Sequence, residues 1–172
     1  LNLKTTPDAL PSFVNSKNVE LFTKHHVLSE TELYSRYEIL LDNYSKTIHI
    51  EALTMIDLAK KEIIPAILGY QGEIAEIANN KKKLSSSIQC CLEENILNKI
   101  STLGNSLYSK LEDLEKSVLD AKLQALDLAK YYRESVFMNM QQLRAVVDEL
   151  ETLVSKKYWT LPSYGELLFS VN

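Results

Sequence analysis

The sequence predicts an all-α chain: an up-down antiparallel bundle of three long helices, led by a short helix and closed by an aromatic strap. Three observations carry this. Apolar side chains recur at steps of three and four along three separate stretches, the spacing of one helix face. Only four glycines and four prolines punctuate 172 residues, too few for the turns of a sheet protein. The longest stripe opens on Ser29 and Glu32 at capping-box spacing.

Residues 1–28 read as a lead-in. Pro7 and Pro11 sit among Thr, Asp, Ser and Asn, so residues 1–15 are expected to be irregular. From Ser16 to Lys24 a short helix is expected, lined by Val19, Leu21 and Phe22. His25 and His26 follow as surface or capping residues.

The first long helix is expected over 29–79. Ser29 accepts from the Glu32 amide while the Glu32 carboxylate reaches back, and Leu28 and Leu33 staple the entry. The stripe runs through Leu33, Tyr37, Leu40, Tyr44, Ile48, Ala52, Met55, Ala59, Ile63, Ile67, Tyr70, Ile74 and Ile77. Leu40 and Ile63 are therefore expected in the core. Pro65 cannot donate to the carbonyl of Lys61, which predicts a kink there. Gly69 and Gly72 weaken the last turns, which are expected to fray at Asn79 and Asn80. Asn79 to Ser87 then reads as a solvated loop. Its three lysines have no aromatic interleaved and no second basic cluster beside them, so they do not form a nucleic-acid patch.

The second helix is expected over 86–120, with Ser86 and Gln89 as a possible capping box. Its stripe runs Ile88, Leu92, Ile96, Ile100, Leu103, Leu107, Leu111, Leu114, Val118 and Ala121. Gly104 costs it about 1 kcal/mol. The third is expected over 125–156, along Leu126, Ala129, Arg133, Val136, Met140, Leu143, Val147, Leu150 and Val154. Its period of 3.5 is that of a coiled-coil seam, and Arg133 is its one break. The break between these helices falls between Leu119 and Leu126. The bundle thus occupies 29–157 and the strap 158–172. Tyr158, Trp159, Pro162, Tyr164 and Phe169 are the candidate docking residues of the strap. Docking on the chain's own helices and docking on a neighbouring domain or subunit are both open.

A net charge of −4 with mixed signs gives no reason for a polyanion partner. No apolar run reaches the ~18 residues of a membrane span. The chain starts at Leu1 without a signal peptide, and reads as a piece of a longer protein. Cys90 and Cys91 are adjacent and read as reduced thiols of a cytoplasmic protein, one of them facing the core. There is no phosphate loop, nucleophile elbow, His-x-x-x-His pair or Glu-x-x-His motif. His49, beside the stripe, is expected to be partly buried and hydrogen-bonded. Tyr131 and Tyr132 are expected at the seam edge, and Asp148, Glu149 and Glu151 on the solvent face. No catalytic, cofactor-binding or metal-binding residue is expected within the chain.

Several longer stretches resemble the C-terminal region of type III glutamine synthetases. They are Ser35 to Glu38, Tyr44 to Met55 (YSKTIHIEALTM), Lys60 to Ala66 (KKEIIPA), Ala129 to Val154, and Tyr158 to Phe169. Asp8 to Pro11, with Leu21 and Phe22, is similar to the join to the catalytic domain in that family. From Lys81 to Lys122 only the helical pattern matches. Thr160 departs from the family, which often has Pro after the Trp. The resemblance implies a parent enzyme that ligates ammonia to glutamate using ATP and a divalent metal, Mg or Mn. It also implies that upstream catalytic domains and neighbouring subunits are the partners. No catalytic residue of the family maps onto this chain, so the resemblance implies a non-catalytic appendage that supports subunit packing or catalytic-domain placement. A free-standing helical adaptor binding partners through its seams is the alternative. A helical protein that opens onto lipid is a third reading, opposed by the mixed charges.

Overall fold

The computed structural model describes residues 3–162 and the backbone of 164–169, with the side chains of Glu166, Leu167 and Leu168. Every regular element among them is helical. The order is α1 (Thr6–Ala9), α2 (Ser16–Lys24), α3 (Glu30–Leu58), α4 (Ile64–Leu84), α5 (Cys91–Leu119), α6 (Ala125–Tyr131), α7 (Phe137–Leu153) and α8 (Tyr164–Phe169). A 3-10 turn, Leu10–Ser12, follows α1. One π-turn, Ala59–Ile63, joins α3 to α4, and another, Tyr132–Val136, joins α6 to α7. The three long helices of the expected bundle are thus present. The structure adds order to the lead-in and a short helix to the segment expected as a strap.

The residues group into two compact units. Unit 1 is Leu1–Leu53 with Glu115–Asn139, and unit 2 is Thr54–Leu114 with Met140–Asn172. Each takes a share of all three long helices. In unit 1 the buried line of α3 runs Leu33, Leu41, Ser45, Ile48 and Ala52. Ala129, Tyr132, Val136 and, from the lead-in, Pro7 are also buried there. In unit 2, Ala59, Ile63, Ile67 and Ile74 are buried on one side of the chain order, and Ile100, Leu107, Leu111 and Leu114 on α5. Met140, Leu143, Leu150 and Val154 complete the apolar set.

The start of α3 follows the capping chemistry of the sequence. The Ser29 backbone N–H and hydroxyl both donate to Glu32 Oε2 at 2.8 Å, and the Glu32 N–H donates to Ser29 Oγ at 3.3 Å. These bonds hold the Glu32 carboxyl below its ordinary value, the backbone donor most of all. At the end of α2, His26 sits at φ 55°. Its N–H donates to the Thr23 carbonyl at 3.1 Å and that of Val27 to Phe22 at 3.0 Å. This pair of bonds is a Schellman motif, so the adjacent histidines are helix-ending residues, exposed as expected.

Pro65 acts through a wider turn. The π-turn Ala59–Ile63 ends with the Ile64 N–H bonded to the Ala59 carbonyl, five residues back, and Pro65 enters α4 among its first residues. The helix thereby accommodates a residue with no N–H to give. Beyond it α4 continues to Leu84, past the expected fraying point at Asn79. Lys81, Lys82 and Lys83 lie in its last turn, where positive charge meets the negative helix end. The expected loop at 79–87 shrinks to the residues between Leu84 and Cys91, and α5 starts at Cys91 instead of Ser86.

Three stripe positions need correction. Leu40 is 45 % exposed and Leu41 fully buried. The buried line passes through Ser45, whose hydroxyl donates to the Leu41 carbonyl at 3.0 Å, so a polar residue sits inside at little cost. A hydrophobicity count steps around such a serine and lands one residue off. Ile77 is 44 % exposed while Ala78 is buried. Ile67 and Ile74, beyond the π-turn, are buried as expected, so the stripe departs only at its last step, which is four residues from Ile74 and not three. Leu92 is 68 % exposed and its neighbour Glu93 is buried, because Lys81 pairs with the Glu93 carboxylate.

Candidate functional site

Unit 2 receives the start of the aromatic segment. Beyond α7 the chain turns at Ser155, whose carbonyl accepts from the N–H groups of Tyr158 and Trp159 at 2.9 and 3.1 Å. Trp159 is buried. The Tyr158 ring lies against α4 at Gly69, where an added Cβ would meet Tyr158 Cδ1 at 2.9 Å, so a side chain at 69 would collide with the ring. The Tyr70 and Tyr158 rings are 5.9 Å apart. Lys157 Nζ donates to Glu73 Oε1 at 2.8 Å and lies 5.0 Å above the Tyr158 ring. That hydrogen bond is the main cause that holds the Glu73 carboxyl low and the Lys157 amine high.

The rest of the segment is less engaged. Thr160 and Pro162 are exposed. Tyr164 and Phe169 lie on α8, and their side chains fall outside the described residues. Glu166 pairs with Lys156. Of the five candidate docking residues, the structure thus brings Tyr158 and Trp159 against unit 2 and leaves Pro162 in solvent.

A second fastening in unit 2 closes the turn between α4 and α5. Lys81 pairs with Glu93, and Lys82 with Glu94 at 2.7 Å. The Lys81 hydrogen bond, first among the causes, lowers the Glu93 carboxyl, and the same bond raises Lys81. Cys90 is buried and points its thiol at the Ala78 carbonyl at 3.7 Å, while Cys91 is exposed. The two cysteines are free, as expected of adjacent thiols.

Unit 1 holds a polar network inside its seam. His49 Nδ1 and the Tyr132 hydroxyl are 2.9 Å apart, and the rings meet edge-on at 6.0 Å. Burial pushes the Tyr132 hydroxyl up. The Tyr131 hydroxyl donates to the Ser117 carbonyl at 3.0 Å. His49 is therefore hydrogen-bonded as expected, whereas Tyr132 belongs to the core and not to its edge. Arg133 follows within the π-turn, its guanidinium carbon 4.7 Å above the Phe137 ring. Arg133 lines two open clefts of unit 1, of about 630 and 330 Å³.

The sequence reading missed the role of Gly69, which looked like a weak point and is a receptacle for Tyr158. It also missed the Lys81–Glu93 pair, for which the signal was available: opposite charges placed symmetrically about a turn. Among the described residues, no group of three or more His, Cys, Asp or Glu side chains is placed to hold a metal ion. No helix of the described residues is long and apolar enough to cross a membrane.

Comparison with known proteins gives a consistent result. Residues 1–82 match the model of the family described as the glutamine synthetase C-terminal domain. The chain is 38 % identical to a glutamine synthetase of Butyrivibrio fibrisolvens over 174 residues, covering 99 % of this chain and 25 % of the relative. It is 34 % identical to the type-3 glutamine synthetase of Dictyostelium discoideum, covering 98 % of this chain and 24 % of that one. A glutamine synthetase of Bacteroides fragilis is 26 % identical over 98 % of this chain and 24 % of its own length. The chain thus spans about a quarter of the length of the curated relatives it matches.

Proposed function

We propose that this chain, a C-terminal domain of glutamine synthetase, is a non-catalytic helical module of a larger type-3 enzyme. Its role is to support subunit packing or to place the catalytic domain. The carrying observation is the similarity over 99 % of this chain and only 25 % of the relative. The whole domain is shared, and most of the enzyme lies elsewhere. Helical seams closed by apolar side chains, with an aromatic segment fastened to α4, suit a packing or docking piece better than a reaction centre.

On this reading residues 1–28 join the module to an upstream catalytic domain, and neighbouring subunits are its other partners. The parent reaction is the ATP-dependent ligation of ammonia to glutamate, with ATP and Mg or Mn bound by the upstream domain, in the cytoplasm. The purified chain, given glutamate, ammonia, ATP and magnesium, is expected to form no glutamine, and turnover would refute the assignment. Removing the matching region from the Butyrivibrio enzyme is expected to disrupt its assembly or its activity. An unchanged oligomer with unchanged activity would reject the supporting role.

A further inference from the structure

We propose that the larger cleft of unit 1 is the seat of the polypeptide that precedes Lys4, so that the upstream domain docks there. The proposal rests on the supporting role above and names the surface that serves it. The course of the lead-in comes first. Lys4, Thr5 and Thr6 line the cleft, and the chain just after them is pinned. Pro7 is fully buried, α1 packs against α6, and the Thr5 hydroxyl donates to Asp8 Oδ2 at 2.5 Å. Farther along, the Asn18 N–H donates to Asn15 Oδ1 at 2.9 Å and the Asn18 side chain to the Ser12 carbonyl at 2.7 Å. The Phe13 and Phe22 rings lie 6.2 Å apart. A segment that merely tethers two domains is exposed and loosely held. This one is fastened along its length, and it delivers whatever precedes it at the rim of the cleft.

The walls of the cleft are the second observation. Leu40, Tyr44, Ile48 and Phe137 make them apolar. Ile48 is buried, yet Leu40 is left 45 % exposed on a stripe position of α3, between the half-buried Tyr37 and Tyr44. Met138, on the wall of the smaller cleft, is equally exposed. Single exposed apolar residues need no partner, but these line two clefts that share Thr5 and Arg133. The larger one, of about 630 Å³, has room for several side chains. Connectivity then selects the occupant. Only 25 % of the Butyrivibrio relative is matched by this chain, so most of such an enzyme lies outside it. Polypeptide attached at the rim meets the cleft at the effective concentration of a short tether, on the order of millimolar. A second copy in solution at lower concentration cannot match that.

A photo-crosslinking amino acid in place of Leu40, in the full-length enzyme that carries this chain, tests the proposal. Irradiation is expected to join position 40 to a peptide upstream of Leu1 in the same chain, so that the product keeps the mass of one subunit on a denaturing gel. The same replacement at Met138 should link to the same domain. Links to another subunit, links confined to residues 1–172, or no upstream link from either position would each overturn the proposal. Leu40→Asp puts a carboxylate into the apolar contact and should abolish the link from Met138. Circular dichroism of the full-length variant establishes that it folds, and a surviving link would count against the cleft. The supporting role is judged separately. An enzyme that loses assembly or activity when the region is removed, but gives no upstream link, keeps that role and loses the cleft. One indifferent to the removal loses both.

Discussion

The two units solve the same packing problem with different materials. Unit 2 buries a mainly aliphatic set, with one carboxylate, Glu93, buried against Lys81 and the Lys157–Glu73 pair at the surface. Unit 1 places polar groups within or beside its seam: Ser45 and the His49–Tyr132 hydrogen bond, with the half-buried Arg133 at its edge. A hydrogen bond in a part-buried site contributes little net stability and imposes a geometry, because leaving it unmade is costly. An aliphatic seam contributes stability and tolerates repacking. The difference teaches that one sequence pattern, apolar residues at threes and fours, produces regions suited to different tasks.

The comparison is tested most severely by charge in each core. Leu41→Asp in unit 1 and Ile63→Asp in unit 2 each bury an unpaired carboxylate, and each is expected to cost several kcal/mol. Leu40→Asp, at a position 45 % exposed, should stay within about 0.5 kcal/mol of the parent. Thermal melts of the three variants decide this, and equal losses for Leu40 and Leu41 would remove the buried line assigned to α3. Leu107→Ala, on a nearly fully buried residue of unit 2, should cost about 2–5 kcal/mol. Tyr132→Phe in unit 1 removes one hydrogen bond at constant shape, and about 1 kcal/mol is expected. A loss of similar size from Tyr132→Phe and Leu107→Ala would erase the contrast between the units.

Two glycines of α4 sharpen the account of unit 2. At Gly72 an added Cβ meets nothing within 4 Å, so Gly72→Ala should stabilise the chain by up to about 1 kcal/mol through helix propensity. Gly69→Ala should lose that gain, because its Cβ would strike the Tyr158 ring. The chain has a single tryptophan, so fluorescence of Trp159 reports directly on the neighbouring contact. A normal Trp159 signal and a gain in melting temperature for Gly69→Ala would show that Tyr158 does not dock there.

Acid should loosen unit 2 through its margins. The Glu73 and Glu93 carboxyls are held below their ordinary 4.5 by hydrogen bonds from Lys157 and Lys81. A carboxyl lowered by folding stabilises the fold above its unfolded pKa, and this is lost as pH falls through the folded one. The two amines, raised above 10.5, behave in the opposite sense and lose their contribution only as pH climbs past their folded values. Trp159 fluorescence is therefore expected to change below about pH 4.5 before the helical signal collapses. Simultaneous loss of both signals would show that the fastening is not separable from the core. The smallest effect is expected at His26→Gly, which relieves the positive φ at the end of α2 and should gain at most about 1 kcal/mol.

The sequence by itself determined the helical class, the number of long helices, the cap at Ser29 and Glu32, and the break between Leu119 and Leu126. These are local properties, set by propensity, spacing and capping chemistry within a few residues. Periodicity also identified most of the buried positions. Tertiary structure alone decided that Leu41 and not Leu40 is inside, that Glu93 is buried through its pairing with Lys81, and that Gly69 receives Tyr158. It alone brought His49 to Tyr132, 83 residues away in the chain. Each of these depends on what a neighbouring helix presents at that height. A pattern of threes and fours leaves the choice between neighbouring residues open, as at Leu40 and Leu41 or Ile77 and Ala78, and only the facing surface settles it.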